Sequence, residues 1–304
     1  MTLTPRIAAL LTLPPLLWAC NALLGRLLAP QVSPLTLNAL RWAGALLVLL
    51  PLGWGAVATR ERRAELRARW RPLAVLGLLG VGAYNALQYL ALQTSTPINV
   101  TLIAASTPLW MLLVGALFFG ERVRGAQAVG ALLSMAGVLL VLVRGDIGGL
   151  SAIRLVPGDL WMLLAALSWA VYSWLLARPA PLLAGGQRPA WTWAEFLLVQ
   201  TLFGFVWAGS AGAAEQALGG RWPEFGPGLL AALVFLALGP SVLAYRCWGL
   251  GVAAVGPAVA GFFGNLTPLF AALLSALWLG QPPQPYHGVA FALIVAGIAV
   301  SNRR

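Results

Sequence analysis

Charge is scarce in this chain. Only 9% of its 304 residues are charged, and 60% are hydrophobic, where a soluble domain carries about a quarter charged residues. A chain this apolar cannot hide its surface in water, which excludes a soluble globular protein and leaves an integral membrane one. Acids are scarcer still: eight, against 19 arginines and no lysine, for a net charge of +11. In a soluble chain that balance would point to nucleic acid. Here the arginines fall between apolar runs, so the excess reports topology, and no nucleic-acid partner is expected. There is one histidine, His287, and there are two cysteines, Cys20 and Cys247, both within apolar segments. They make neither a disulfide framework nor a metal-ligand spacing, and no glycine-rich phosphate loop precedes a helix. Without a well-placed acid, base or nucleophile the sequence offers no catalytic residue, no cofactor site and no metal site, and it does not read as an enzyme.

What is present is a repeat. The stretch NVTLIAASTPLWMLLVGALFFGE, residues 99–121, is written again as VAGFFGNLTPLFAALLSALWLGQ, residues 259–281, with Thr107-Pro108 matched by Thr267-Pro268 at an offset of 160. Pro97 pairs with Pro257, Leu109 with Leu269 and Gly137 with Gly297, with no gap needed from about 76–141 to 236–301. An ungapped match of that length marks a duplicated unit.

A bilayer crossing needs about 20 apolar residues. Ten segments meet that measure: 7–28, 35–57, 72–92, 97–119, 127–143, 159–176, 193–210, 228–248, 257–279 and 286–300. The N-terminus has the look of a secretory leader, with Arg6 before an apolar run and Ala19-Cys20 where cleavage could fall. Pro14-Pro15 interrupts that run and hydrophobicity continues to Leu28, so it reads as the first membrane helix. The arginine-rich segment 60–71 sets orientation. With it inside, thirteen loop arginines are cytoplasmic and three (Arg144, Arg154 and Arg221) are not, which places both termini inside. The expected fold is therefore an all-α integral membrane protein of ten transmembrane helices. It has a first five-helix repeat at 1–143, a linker at 144–158 and a second repeat at 159–304. An odd number of helices per repeat makes the second copy enter from the opposite side, and inverted repeats are the architecture of secondary transporters.

The pattern resembles the EamA type of the drug/metabolite transporter superfamily. The resemblance rests on Trp18 and Trp169 opening each half, Arg41 in the second helix, and the Thr-Pro-Leu runs at 107–109 and 267–269. Gly120-Glu121, Ala136-Gly137-Val138 and Ala296-Gly297-Ile298 complete it. It covers nearly the whole chain and departs at Gln281, where the first half has Glu121. It implies export of small metabolites across a bacterial cytoplasmic membrane, with amino acids, nucleotide sugars or drugs as cargo. A monomer in contact with membrane lipid is the expected state.

Polar and aromatic residues within the apolar segments are the candidates for a substrate site. Tyr84 and Gln88 share a helix face, as do Asn85 and Tyr89, and Ser241, Tyr245 and Trp248. Trp18 with Asn21 is matched by Trp169 with Tyr172 and Ser173, and Asn99 and Asn265 lie in the fourth and ninth segments. Such groups either bond helix to helix or line a water-filled cavity. The set as a whole favours the cavity, with Trp18, Asn21, Tyr84, Gln88, Trp169, Tyr172, Tyr245, Arg246 and Asn265 as its expected substrate-binding residues. Arg26, Arg41 and Arg246 each lie within about two turns of a segment end. There they snorkel to the interface or meet a substrate carboxylate, and Arg246, beside Tyr245, is the best placed for the second role. Trp54, Trp191 and Trp222 read as interface belts. Pro108 and Pro268 each free a carbonyl and are the expected helix breaks. Ala126, Gly130 and Ser134 in the fifth segment, and Gly288, Ala292 and Ala296 in the tenth, form small-residue faces that would pack together. The reading this supports is a secondary exporter of amino acids with aromatic or other apolar side chains, moved by alternating access through a central cavity. The alternatives are efflux of cationic drugs, a membrane enzyme or a non-transporting scaffold. No Asp, Glu or His sits at a segment centre, so the chain is expected to lack a carboxylate proton switch.

Overall fold

The computed structural model describes residues 3–95, 97–143, 145–146, 156–279 and 284–302. Arg144, Arg154, Gly280, Gln281, Arg303 and Arg304 lie outside these residues, as do the side chains of Arg26 and Asn99. All regular structure among the described residues is helical. In hydrocarbon each backbone N–H and C=O must find a partner within the protein, and a helix satisfies them inside one segment. Among the described residues, seven spans are long and apolar enough to cross a bilayer: Pro5–Gly25, Pro34–Ala56, Trp70–Thr94, Gly125–Leu142, Pro157–Ala177, Trp193–Ala217 and Pro227–Phe263. Two shorter apolar helices, Thr107–Phe119 and Pro285–Ser301, accompany them.

The first region holds α1 (Pro5–Leu28), α2 (Pro34–Gly53), α3 (Arg60–Ala68), α4 (Trp70–Gly77), α5 (Tyr84–Thr94), α6 (Pro97–Ala105), α7 (Thr107–Phe119) and α8 (Gly125–Leu142). The second holds α9 (Pro157–Ala177), α10 (Trp193–Ala217), α11 (Pro227–Leu236), α12 (Ala244–Phe263), α13 (Leu266–Leu279) and α14 (Pro285–Ser301). The arginine cluster forms α3, which buries no residue. Thr59 caps it by accepting from the Arg62 amide at 3.2 Å. Arg69 ties it to the 181–187 loop through the carbonyls of Leu182 and Gln187, at 3.0 and 2.9 Å.

The helices break where the repeat repeats. Segment 97–119 divides at Ser106, just before Thr107-Pro108, and its counterpart divides at Gly264-Asn265, just before Thr267-Pro268. Two further breaks were not expected from the sequence. A wide, π-type turn at Leu78–Ala83 joins α4 to α5, and another at Ala237–Leu243 joins α11 to α12. The second has a direct cause. Pro240 has no N–H to give the Leu236 carbonyl, and the Ser241 hydroxyl donates to that oxygen instead, at 2.8 Å. At Gly256, with φ 81°, the chain leaves the helical path inside α12, so the Pro227–Phe263 span is bent rather than straight.

Packing exchanges helices between the two regions. In the first region, α1 lies against α12 and α13 of the second. In the second region, α9 lies against α5 and α7 of the first. Two further pairs, α2 with α10 and α8 with α14, close the bundle. The α8–α14 contact is backbone to backbone: a Cβ on Gly130 would stand 2.6 Å from the Gly297 oxygen, and one on Gly137 2.8 Å from the Ala290 oxygen. On α8 the expected Gly130 and Ser134 are buried here. On α14 the face is different from the one expected: Ala290, Gly297 and Ser301 are buried, while Gly288 and Ala292 point outward. The helix carries two stripes of small residues, and only its rotation against α8 decides between them.

Candidate functional site

Four helices bring their aromatic residues to one point. Trp169, on α9, is 4% exposed and has five rings around it. Trp18 meets it edge-on at 5.2 Å, Tyr84 and Tyr172 stand at 5.2 Å, Trp248 at 5.4 Å and Tyr245 at 5.5 Å. Edge-to-face and tilted pairs at these separations are the favoured aromatic geometries. The polar ends are tied down. Trp248 Nε1 donates to Ser173 Oγ at 3.1 Å, Tyr172 OH donates to Gln200 Oε1 at 3.1 Å, and Tyr245 OH donates to the Gly80 carbonyl in the first wide turn. The Gly80 carbonyl has a counterpart 160 residues on, at Pro240, which also accepts from side chains: Trp18 Nε1 at 3.3 Å and Arg41 Nη2 at 3.4 Å.

Beside this cluster is a cavity of about 140 Å³, near the ~150 Å³ of an apolar cavity that holds one benzene molecule. Trp18, Trp169, Tyr84, Tyr245 and Trp248 supply its aromatic wall, and Asn21, Asn85 and Gln88 its amides. The ends of the broken helices close it, with Thr107 from α7 and Thr267 and Pro268 from α13. Thr107 and Thr267 are repeat equivalents, so the duplication places the same residue type at two points of one wall.

Of the residues singled out in the sequence, Trp18, Asn21, Tyr84, Gln88, Trp169, Tyr245 and Pro268 line this cavity. Tyr172 stands behind Trp169 and faces Gln200. Asn265, 1% exposed, sits in the turn between α12 and α13 outside the lining. Pro108 is buried near Gly261 without reaching the cavity. Arg246 is not in the lining: its guanidinium lies over the Trp193 ring, 4.9 Å from the centroid. One residue along a helix is about 100° around it, so a neighbour of Tyr245 need not share its face. Arg41 is the residue whose setting the sequence hid. It does not snorkel: it is 0% exposed, with α1 and the second wide turn over it. Of the tryptophans read as interface belts, Trp54 and Trp222 are exposed, and Trp191, half-buried, stacks on Phe196 at 6.2 Å.

Acids keep away from the cavity. Asp159 and Glu195 accept from amides at the starts of α9 and α10, and Glu215 accepts from those of Leu35 and Thr36 at the start of α2. Negative charge suits those positive helix ends. Glu121 pairs with Arg178, and Glu65 with Arg62 at 3.4 Å. Among the described residues no His, Cys, Asp or Glu cluster could hold a metal ion.

Residues 6–143 and 156–303 each match the model of the EamA-like transporter family. The chain belongs to that family. The EamA-like protein is 31% identical to an aromatic amino acid exporter, YddG, of Ancylobacter novellus over 243 residues, covering 78% of this chain and 77% of the relative. It is 28% identical to a probable terminal-alkyne amino-acid exporter of Streptantibioticus cattleyicolor, covering 84% and 80%. A solved crystal structure superposes with a TM-score of 0.76 at 26% identity over 97% of each chain. The protein is thus an integral membrane transporter of small molecules, not an enzyme.

Proposed function

We propose that this EamA-like protein exports amino acids with aromatic or other apolar side chains, by alternating access through the cavity beside Trp169. That cavity carries the reading. Its tryptophan and tyrosine rings suit an apolar side chain, its amides suit a zwitterionic head group, and no acid lines it. The two relatives named as amino-acid exporters support the substrate class. The architecture in this reading is ten crossings in two inverted five-helix repeats, 1–143 and 159–304, joined by 144–158. Helix breaks and wide turns recurring about 160 residues apart support it, as does the exchange of α1 and α9 between regions. Rocking one repeat against the other would open the site to each side in turn.

The test is uptake into proteoliposomes of phenylalanine, tryptophan, leucine and a quaternary ammonium ion. Amino-acid flux without cation flux supports the reading. Cation flux alone would support the second one, efflux of cationic drugs, which the ring of aromatic faces favours and the missing carboxylate opposes. With no acid at the cavity, downhill flux should persist at equal pH on both sides. The arginine bias orients the protein with both termini and α3 on the cytoplasmic side of the bacterial membrane. A Glu65→Cys variant should then react with an impermeant thiol reagent only after the cells are opened, and labelling in intact cells would reverse the topology.

A further inference from the structure

Arg41 is fully buried, two turns into α2, and no carboxylate among the described residues meets it. Its Nε donates to Ser241 Oγ at 2.6 Å, its Nη2 to the Pro240 carbonyl at 3.4 Å and its Nη1 to Asn21 Oδ1 at 3.4 Å. It also lies 5.0 Å from the centroid of the Trp42 ring. Each of these partners is neutral. All eight acids of the chain are among the described residues, and those whose bonds are given above are engaged elsewhere. A buried charge that is hydrogen-bonded but not neutralised keeps an outward field, because low-dielectric surroundings screen it weakly. An ionisable group buried within a membrane helix is by default a candidate functional residue.

Asn21 carries that field to the cavity. A guanidinium can only donate, so the side of the Asn21 amide that faces Arg41 must be its oxygen. Tyr89 OH also donates to that oxygen, at 3.5 Å. With its oxygen held by Arg41 and Tyr89, the Asn21 amide has its NH₂ left for the cavity that it lines. The cavity therefore presents a fixed donor backed by an unneutralised positive charge.

We propose that Arg41, acting through Asn21, selects the carboxylate end of the substrate and rejects cations. The proposal rests on the amino-acid reading above and adds which group reads the head of the molecule. Arg41 is a positioning residue; Asn21 is the group that touches the substrate. The same field excludes amines that lack a carboxylate, because nothing in the wall offsets two positive charges.

The experiment uses the full chain in proteoliposomes with three probes: phenylalanine, phenylalaninamide and phenethylamine. The last two keep the ring and the amine and lack the carboxylate. Wild type should move phenylalanine and be inhibited by the other two at least about tenfold more weakly than by unlabelled phenylalanine. Arg41→Gln should weaken phenylalanine binding about tenfold and leave inhibition by phenethylamine equal or stronger, collapsing the ratio. Arg41→Lys should restore part of it. Asn21→Asp gives Arg41 a carboxylate and replaces the donor, so it should reverse the preference toward the amines; it also serves as the test if Arg41→Gln fails to insert. A merely structural role would lower all three probes alike, and an unchanged ratio in Arg41→Gln or Asn21→Asp overturns the inference alone. Wild type that moves phenethylamine and no phenylalanine overturns the amino-acid reading, and the inference with it.

Discussion

The α8–α14 seam and the Trp169 chamber are both built where one matched region meets the other, and they are made of opposite materials. The seam is glycine, alanine and serine, close enough that a Cβ on Gly130 would stand 2.6 Å from the Gly297 oxygen. The chamber is tryptophan and tyrosine, spaced at 5.2 to 5.5 Å around Trp169 and tied to carbonyls in wide helix turns. In a bilayer, apolar bulk gives no drive for one helix to prefer another over lipid; close backbone approach does. The seam is thus suited to hold, and the chamber to bind. The wide turns and helix breaks also belong to the chamber side, where backbone carbonyls are given to side chains and the helices are interrupted. Continuous helices run along the seam.

The comparison is broken most severely at the seam. Gly297→Leu would drive a side chain into Ser134 Oγ and the Gly130 carbonyl. Overpacking at a backbone contact should cost about 3 kcal/mol, and the measurement is the melting temperature in detergent by size-exclusion chromatography after heating. A near-normal melting temperature would show that α8 and α14 can part without loss. The chamber should answer in the other way. Trp169→Phe keeps a ring and gives up area and aromatic contacts, a loss of about 1.5 kcal/mol or about tenfold in affinity. Apparent phenylalanine affinity should therefore fall by that factor while the melting temperature moves little. The smallest effect sharpens the boundary of the chamber. Arg246→Gln removes a cation that lies over Trp193 outside the cavity, so uptake should stay within about twofold of wild type, the range of a surface change. A large loss would bring Arg246 back into the transport path.

Periodicity and duplication make much of this legible in the chain alone. Continuous apolar runs of about 20 residues point to membrane helices, which satisfy their backbone within one segment in hydrocarbon. The Thr-Pro pairs at 107 and 267 mark where helices divide, and the divisions fall one and two residues before them. Trp18 with Asn21, and Tyr84 with Gln88, share faces by spacing alone, and those faces line the cavity. What spacing along one helix leaves open is that helix's rotation against its neighbours. That rotation puts Tyr245 in the chamber and Arg246 outside it. It also buries Ala290 and Gly297 of α14 while Gly288 and Ala292 face out. Depth was undetermined for the same reason. Arg41, two turns from the end of α2, has the reach to snorkel, and only α1 and the Pro240 turn, brought over it from positions distant in sequence, keep it buried. The chain by itself determined the material, the duplication and the faces of each helix. Tertiary packing decided which faces meet and where an unneutralised charge is held, because both depend on contacts between residues some 200 positions apart and more.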